Sequence, residues 1–230
     1  MTDITRSAGM SPANAAKEAV GAPYQLALMK HAQAMTWQAV ERIARGIHPG
    51  MRESQARELA QQVLAELGMQ RIWHPTHIRF GANTLKTFKQ RSDGDPVLGE
   101  HDIFFIDMGV VWEGHEGDAG ATFVTGDDAQ MAACARAAKD LFQQVEGHWR
   151  QHRTNGVELY RFAAARAEAM GWRLNMDIKG HRVSDFPHAI YRAGDLGDFT
   201  GEPHDGLWIL EIQIAHPEHA YGAFHEDLLA

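Results

Sequence analysis

The sequence has little of what marks several common classes of protein. Among its 230 residues Cys134 is the only cysteine, which excludes an internal disulfide and a cysteine-rich zinc site. It has no basic run and a net charge of −8, so neither a nucleic-acid nor an anionic-membrane partner is expected, because both bind basic surfaces. No segment is apolar for long enough to span a bilayer, and residues 1–20 lack the apolar core of a signal peptide. We therefore expect a cytoplasmic protein.

What remains is the composition of a globular protein with one sizeable core, 44% hydrophobic and 23% charged. Residues 1–20 are small and polar and are predicted to form a flexible N-terminal arm. Residues 21–230 are predicted to form a single domain. Histidine is abundant, with 14 residues, which raises the question of a metal site.

The hydrophobic spacing predicts the same series of elements twice. Apolar residues recur at helical spacing over residues 40–47 and 56–67, and the strands HDIFFIDMG and DAGATFVTG follow. Helical spacing returns over residues 134–145 and 159–170, and LWILEIQI and GAFHEDLL follow as strands. The stretch WHPTHIRFGANT is punctuated by Pro and Gly and is not predicted as a strand. This order indicates an α+β fold of two similar halves, with helices on one face of an antiparallel sheet.

Each predicted strand pair carries two acidic residues among apolar neighbours. A hairpin symmetric about residues 112 and 113 places Asp107 directly opposite Asp118. A hairpin symmetric about residues 218 and 219 places Glu211 opposite Glu226. Taken singly, each acid can be a solvated strand residue, but opposed carboxylates repel and must share a proton or hold a cation. Two such pairs carry four negative charges, which two divalent cations would balance, as in a two-metal hydrolytic site.

The segment IDMGVVWEGHEGDAGATFVTG resembles the first metal-binding hairpin of the pita-bread metallopeptidases, peptidase family M24. This family contains methionine aminopeptidase, Xaa-Pro aminopeptidase, prolidase and creatinase. The resemblance extends from the helix near residue 25 to the C-terminus, and it implies the pita-bread fold, two pseudo-symmetric halves with helices packed on a curved antiparallel sheet. It also implies two divalent metal ions and five ligands, namely Asp107, Asp118, His181, Glu211 and Glu226.

The resemblance assigns a role to each of these side chains. Asp107 is expected to chelate one ion, and Asp118 to bridge both. His181, in GHRVS, is expected to complete the shell of one ion. Glu211 is expected to act as both ligand and proton acceptor, and His188 to contact the substrate and stabilise an oxyanion. A set of four carboxylates and one imidazole suits Mn²⁺, Fe²⁺ or Co²⁺, with Zn²⁺ also acceptable.

The sequence departs from the family in the residues that handle the substrate. Phe88 stands where the peptidases carry a histidine before the first hairpin, and His74 or His77 is left as its substitute. The glycine-rich turn after the metal-binding histidine reads GHRVS, so Arg182 and Asp185 are expected to crowd or reshape the pocket. The proline that usually follows the first metal-binding glutamate is absent, since the sequence reads LEIQI.

The expected substrate is a short peptide or a small molecule. His77 and Arg79 are predicted to bind it, Arg79 through a substrate carboxylate, although His74 and His77 also suit loop or rim positions and Arg79 a surface salt bridge. The leading hypothesis is an amino- or Xaa-Pro-type peptidase that cleaves a C–N bond. A creatinase-like enzyme for a non-peptide substrate and a catalytically silent binding module are the alternatives. A homodimer is compatible with the sequence.

Overall fold

The structure of the protein, a computed structural model, describes residues 11–187 and 193–230. The helices are α1 (Pro12–Lys17), α2 (Leu26–Gly46), α3 (Glu53–Glu66), α4 (Ala129–His152) and α5 (Gly156–Ala169). The strands are β1 (Arg71–Phe80), β2 (Asp102–Trp112), β3 (His115–Thr125), β4 (Arg173–Leu174), β5 (His181–Arg182), β6 (Trp208–Ala215) and β7 (Gly222–Leu228). Short 3₁₀ helices lie at Gly81–Leu85 and Leu196–Asp198. None of the helices in the described ranges is long and apolar enough to cross a membrane.

The seven strands form one antiparallel sheet whose order confirms the α+β prediction. The order is β1-β2-β3-β7-β6-β4, and β5 also pairs with β6. In the first half β1 flanks the hairpin of β2 and β3, and in the second half β4 flanks the hairpin of β6 and β7. The two hairpins meet at β3 and β7. The seam between the halves is narrow, because β3 and β7 pair only at Gly120–Glu226 and Ala121–His225.

The helices cover one face of the sheet in two groups, and each group closes its own hydrophobic core. The first core joins α2 and α3 to β1, β2 and β3, with residues such as Val40, Leu64 and Ile106 fully buried. The second joins α4 and α5 to β6 and β7, and Cys134 lies within it. The apolar stripes that predicted these helices are therefore the surfaces they bury.

The flanking strand β1 was not predicted. The stretch around Trp73 is an edge strand of ten residues that pairs with β2. Its register shifts between Ile72 and His74 and again between His74 and His77, and the second of these intervals contains Pro75. A proline lacks an N–H and is accepted only at an edge or a bulge. The bulges therefore interrupt the alternation of apolar and polar residues by which a strand is predicted from sequence.

Part of the predicted N-terminal arm is ordered against the domain. Within residues 1–20, Pro12–Lys17 form α1, capped by Ser11, and residues 1–10 lie outside the described residues. Glu18 is buried and accepts a hydrogen bond of 2.7 Å from the Trp208 indole N–H. These contacts attach the end of the predicted arm to the domain.

Candidate metal centre

One row across the middle of the sheet consists of Asp107, Gly120, Glu226 and Glu211, one residue from each of four neighbouring strands. Asp107 on β2 pairs with Gly120 on β3. Gly120 pairs with Glu226 on β7, and Glu226 pairs with Glu211 on β6, as predicted. Asp118 precedes Gly120 by two residues and therefore points to the same face. The register of the sheet thus brings all four acids together.

The register of the first hairpin differs by two residues from the prediction. Its turn is Glu113-Gly114, in which both residues have positive φ, 47° and 72°, as the type I′ turn of a tight hairpin requires. Asp118 consequently lies opposite Gly109, and the predicted direct pairing of Asp118 with Asp107 is wrong. The two carboxylates are diagonal neighbours, which remains within reach of one ion.

Gly120 provides the space that the row of acids occupies. A Cβ atom there would lie 2.8 Å from Glu226 Oε1, 2.6 Å from Phe224 Cε1 and 2.9 Å from the Ile106 carbonyl oxygen. These separations are shorter than any that side chains tolerate. Since Gly120 stands between Asp107 and Glu226, its missing side chain is what lets the two halves share one site.

Two imidazoles lie over the acids. From β5, the His181 Nε2 atom lies 2.9 Å from Asp118 Oδ2 and 3.9 Å from Glu211 Oε1. From β1, the His74 Nε2 atom lies 3.0 Å from Asp118 Oδ1 and 3.7 Å from Asp107 Oδ1. The prediction included His181 and left His74 open, either as the substitute for the missing family histidine or as a loop or rim residue. The structure places His74 in the cluster.

The electrostatics of the cluster are dominated by burial and by the mutual effect of its charges. Burial, together with the charges of the other acids, raises the pKa of Glu226 well above its usual range. Burial also raises the pKa of Glu211. Burial lowers the pKa of both imidazoles, but the charge and hydrogen bonding of Asp118 outweigh this and raise it to about 10 for His74 and about 9 for His181. Carboxylates that oppose one another's ionisation in this way are stabilised by a bound cation.

The donor set fits a divalent metal. Asp118 Oδ2 and Glu226 Oε1 are fully buried; Asp118 Oδ2 faces His181 Nε2 at 2.9 Å, whereas Glu226 Oε1 makes no hydrogen bond to the described residues. Leaving a buried carboxylate oxygen unpaired is costly, and a cation removes that cost. Ligand atoms of Asp118, His181 and Glu226 lie within 4.8 Å of one another, as do those of His74, Asp107 and Asp118. Oxygen-rich ligands with imidazole suit Mn²⁺, Fe²⁺ and Co²⁺.

Two of the acids, Asp107 and Glu211, line a cleft of about 350 Å³, a size suited to a small ligand. His77, one of the two residues predicted to bind substrate, lines this cleft, and burial lowers its pKa to about 4. Arg79 lines a smaller recess beside it, but its terminal nitrogens donate to Ser92 Oγ at 2.6 Å and to the Gln90 carbonyl at 2.5 Å. Phe88 lies at the cleft with 54% of its surface exposed.

Arg182 and Asp185 do not crowd the cleft, contrary to the prediction. Arg182 follows His181 on β5 and so points to the other face of the strand. Its buried guanidinium donates to the carbonyls of Lys17 at 2.9 Å and Leu207 at 2.6 Å. Asp185 accepts a hydrogen bond of 2.9 Å from the Gly21 N–H. Both residues therefore bind the N-terminal segment.

Two helix side chains that the sequence did not single out hold the backbone of the site. The Gln33 amide on α2 accepts from the Asp118 N–H at 3.0 Å and donates to the Asp118 carbonyl at 2.5 Å. The Tyr160 hydroxyl on α5 accepts from the Glu211 N–H at 3.2 Å and donates to its carbonyl at 2.8 Å. A buried polar residue on an apolar helix face is the sequence signal for both. His188, the remaining predicted catalytic residue, lies outside the described residues.

The fold and the cluster together define an α+β protein with a candidate metal centre, rich in carboxylates, on an antiparallel sheet. The chain belongs to metallopeptidase family M24, whose sequence profile matches residues 27–228. Its fold is the pita-bread fold of the M24 structures that it resembles. No curated protein sequence matches the chain.

Solved structures of M24 enzymes share this fold. An X-Pro aminopeptidase from Thermotoga maritima has 13% identity and a TM-score of 0.70, covering 93% of this chain and 59% of its own. A methionine aminopeptidase from the same organism has 16% identity and a TM-score of 0.64, covering 91% and 92%. A prolidase from Pyrococcus horikoshii has 16% identity and a TM-score of 0.70, covering 94% and 61%. This chain thus spans about three fifths of the X-Pro aminopeptidase and the prolidase.

Proposed function

We propose that the chain binds two divalent metal ions and hydrolyses a C–N bond, as an amino- or Xaa-Pro-type peptidase. One observation carries the proposal: the four carboxylates converge beside a cleft that Asp107 and Glu211 line, and the buried Glu226 Oε1 lacks a hydrogen-bond partner among the described residues. Under this proposal the five ligands are Asp107, Asp118, His181, Glu211 and Glu226, and the ions are Mn²⁺, Fe²⁺, Co²⁺ or Zn²⁺.

When bound, such a pair of ions supplies a water-derived nucleophile near neutral pH and polarises the bond to be cleaved. The chain supplies a proton acceptor and its orientation. The Gly180 N–H donates to Glu211 Oε2 at 3.0 Å, and Tyr160 fixes the backbone of Glu211 from behind. Glu211 therefore has one oxygen anchored and the other directed toward His181, and its raised pKa suits proton transfer.

Substrate binding falls to the walls of the cleft. His77 is neutral at physiological pH, because burial has lowered its pKa to about 4, so it can donate or accept one hydrogen bond to a peptide group. For Arg79 we propose an indirect role, since its nitrogens already hold the loop that carries Phe88. His188 is proposed to stabilise the oxyanion.

A creatinase-like reaction on a small non-peptide substrate is the second candidate. The observation that favours it is Phe88, an exposed aromatic ring at the cleft where the family peptidases carry a histidine. An apolar wall at this position favours a substrate with fewer peptide groups to hydrogen-bond. The third candidate function, a catalytically silent binding module, requires that the acids hold no metal.

Metal content measured by elemental analysis tests the site first. After incubation with Mn²⁺ or Co²⁺ and desalting, the wild type is expected to retain about two ions per chain, and Asp118→Ala to lose both. Retention of no metal by the wild type would overturn the proposed hydrolase and favour the binding module.

A substrate panel then separates the two enzymatic candidates. The metal-loaded wild type is expected to release the N-terminal residue from short peptides, including Xaa-Pro dipeptides. Glu211→Gln, assayed at a metal concentration that keeps its sites filled, is expected to have its activity reduced at least a hundredfold. Turnover of a guanidino compound such as creatine without any peptide cleavage would overturn the peptidase proposal and support the creatinase-like reaction.

A further inference from the structure

His74 and His181 approach Asp118 from opposite sides. His74 Nε2 lies 3.0 Å from Oδ1, and His181 Nε2 lies 2.9 Å from Oδ2. Each imidazole also faces a second acid: Asp107 for His74, at 3.7 Å, and Glu211 for His181, at 3.9 Å. His181 is one of the five proposed ligands, and His74 has the same relation to the acids of the other half.

The far nitrogen of each ring is held in the same way. Nδ1 of His74 lies 3.0 Å from the Pro75 carbonyl oxygen, and Nδ1 of His181 lies 3.1 Å from the Arg182 carbonyl oxygen. A carbonyl can only accept, so Nδ1 carries the proton in both rings. Nε2, which faces the acids, is then the nitrogen that can bind a metal once it has given up its own proton, which is the arrangement that metal-binding histidines adopt.

The sheet is built to admit the His74 ring. Gly109 pairs with His74 across β1 and β2, and a Cβ atom at Gly109 would lie 2.1 Å from His74 Cδ2 and 2.5 Å from His74 Nε2. The Trp73 ring packs edge-on against both imidazoles, with centroids 4.6 Å from His74 and 5.6 Å from His181. His74 is therefore packed into position and is not a mobile rim residue.

We propose that His74 is a sixth metal ligand, which binds through Nε2 the ion held by Asp107 and Asp118. The inference rests on the proposed dinuclear site and deepens it, because each ion then has one imidazole. Ligand atoms about 2.1 Å from one ion lie about 3.0 to 3.4 Å apart in octahedral or tetrahedral geometry. The separations of His74 Nε2 from Asp118 Oδ1 and Asp107 Oδ1, 3.0 and 3.7 Å, are close to this range.

Titration with Co²⁺, followed by calorimetry and by the visible absorption of the bound ion, tests the proposal. His74→Gln is expected to bind one ion as tightly as the wild type and the other at least about a hundredfold more weakly, since loss of an outer partner alone costs 10–100-fold. Asp107→Asn is expected to weaken the same ion. His31→Gln, the same substitution at an exposed position of α2, is the control and should retain both ions and the wild-type spectrum.

Proton NMR of the Co²⁺-loaded wild type gives a second test that needs no variant. Two coordinated rings predict two hyperfine-shifted signals that exchange with solvent, one from each Nδ1–H. A single such signal, or two ions bound by His74→Gln with unchanged affinity and spectrum, would overturn the role of His74 and leave the dinuclear site intact. A wild type that binds no Co²⁺ would overturn both.

Discussion

The two halves of the sheet hold the strands that carry their acids with different side chains at equivalent places. In the first half, the Gln33 amide pairs with both backbone groups of Asp118. In the second, the Tyr160 hydroxyl pairs with both backbone groups of Glu211. Gln33 also donates to Asp227 Oδ1 on β7 at 2.7 Å, so it connects the two halves. Tyr160 contacts only its own half through these bonds.

Gln33 and Tyr160 each contact a strand at a point where that strand has no paired neighbour on one side. At Asp118 the pairing of β3 with β7 has not yet begun. At Glu211, β6 lies between its short pairings with β5 and β4. Buried backbone groups need partners, and a helix side chain supplies them at each gap. The difference shows that the first half depends on a contact across the seam, whereas the second is supported from within.

The largest effect is expected at the seam itself. Gly120→Ala places a Cβ atom against the Ile106 carbonyl and Glu226, and it should lower the free energy of unfolding by about 3 kcal/mol or more. It should also abolish metal retention, because the acids of the two halves are pushed apart. Denaturant unfolding and elemental analysis measure the two effects.

Gly147→Ala is the matched control for this substitution. Gly147 lies within α4, where an added Cβ meets nothing within 4 Å. It should raise the free energy of unfolding by about 0.5–1 kcal/mol, because alanine is the better helix former. If Gly120→Ala unfolded at the same denaturant concentration as the wild type, the halves would not depend on this close approach.

The second prediction concerns Gln33. Gln33→Leu leaves the buried N–H and carbonyl of Asp118 without partners, so it should lower the free energy of unfolding by about 3 kcal/mol. It should also weaken metal binding, since Asp118 is proposed to bridge both ions. Calorimetric Co²⁺ titration and denaturant unfolding report these changes. Gln61→Leu, the same substitution at an exposed position of α3, should change stability by less than about 0.5 kcal/mol. Equal effects of the two substitutions would remove Gln33 from the support of the site.

The part of the site that the sequence predicts is the part carried by regular strands. The pairing of Glu211 with Glu226 follows from the symmetry of their hairpin. The first hairpin has glycines at 109, 114, 117 and 120, so its turn is ambiguous from composition alone. Placing the turn at Glu113-Gly114, the two-residue loop with glycine at its second position, would have given the correct register.

His74 and Gln33 could not be placed in this way. The strand that carries His74 is bulged at Pro75, so the side chain's face depends on pairing with β2 and not on local alternation. Gln33 lies on the buried face of an amphipathic helix, and its partners are 85 and 194 positions away in the chain. Tertiary packing determines both positions, and the hydrophobic periodicity of the sequence does not show how the elements pack.

The third prediction uses His225, which lies on the helix-covered face at the seam. Its ring packs between Trp37 of α2 and Phe142 of α4, and burial, reinforced by Lys139, lowers its pKa to about 4. The unfolded chain, with an ordinary pKa near 6.5, binds more protons between pH 4 and 6.5. Stability therefore rises with pH across this window and falls by about 2 kcal/mol from pH 7 to pH 4.5 on account of this residue.

His225→Gln should remove that contribution. The difference between the free energies of unfolding at pH 7 and pH 4.5 should be about 2 kcal/mol smaller in the variant, whatever its stability at pH 7. Urea unfolding at both pH values, with metal removed from both proteins, gives the comparison. An unchanged difference would mean that His225 takes up its proton in the folded protein without cost, and that the seam is more open than its packing indicates.

The smallest effect is expected at Tyr160, on the side that is supported from within. Tyr160→Phe keeps the buried ring and removes one hydroxyl, so it should lower the free energy of unfolding by about 1–2 kcal/mol, less than Gln33→Leu. Because Gln33 and Tyr160 support different strands and share no partner in the hydrogen bonds described, the double variant should show the sum of the two effects to within about 0.5 kcal/mol. A larger departure from additivity, measured by denaturant unfolding of all four proteins, would show that the second half also depends on the seam.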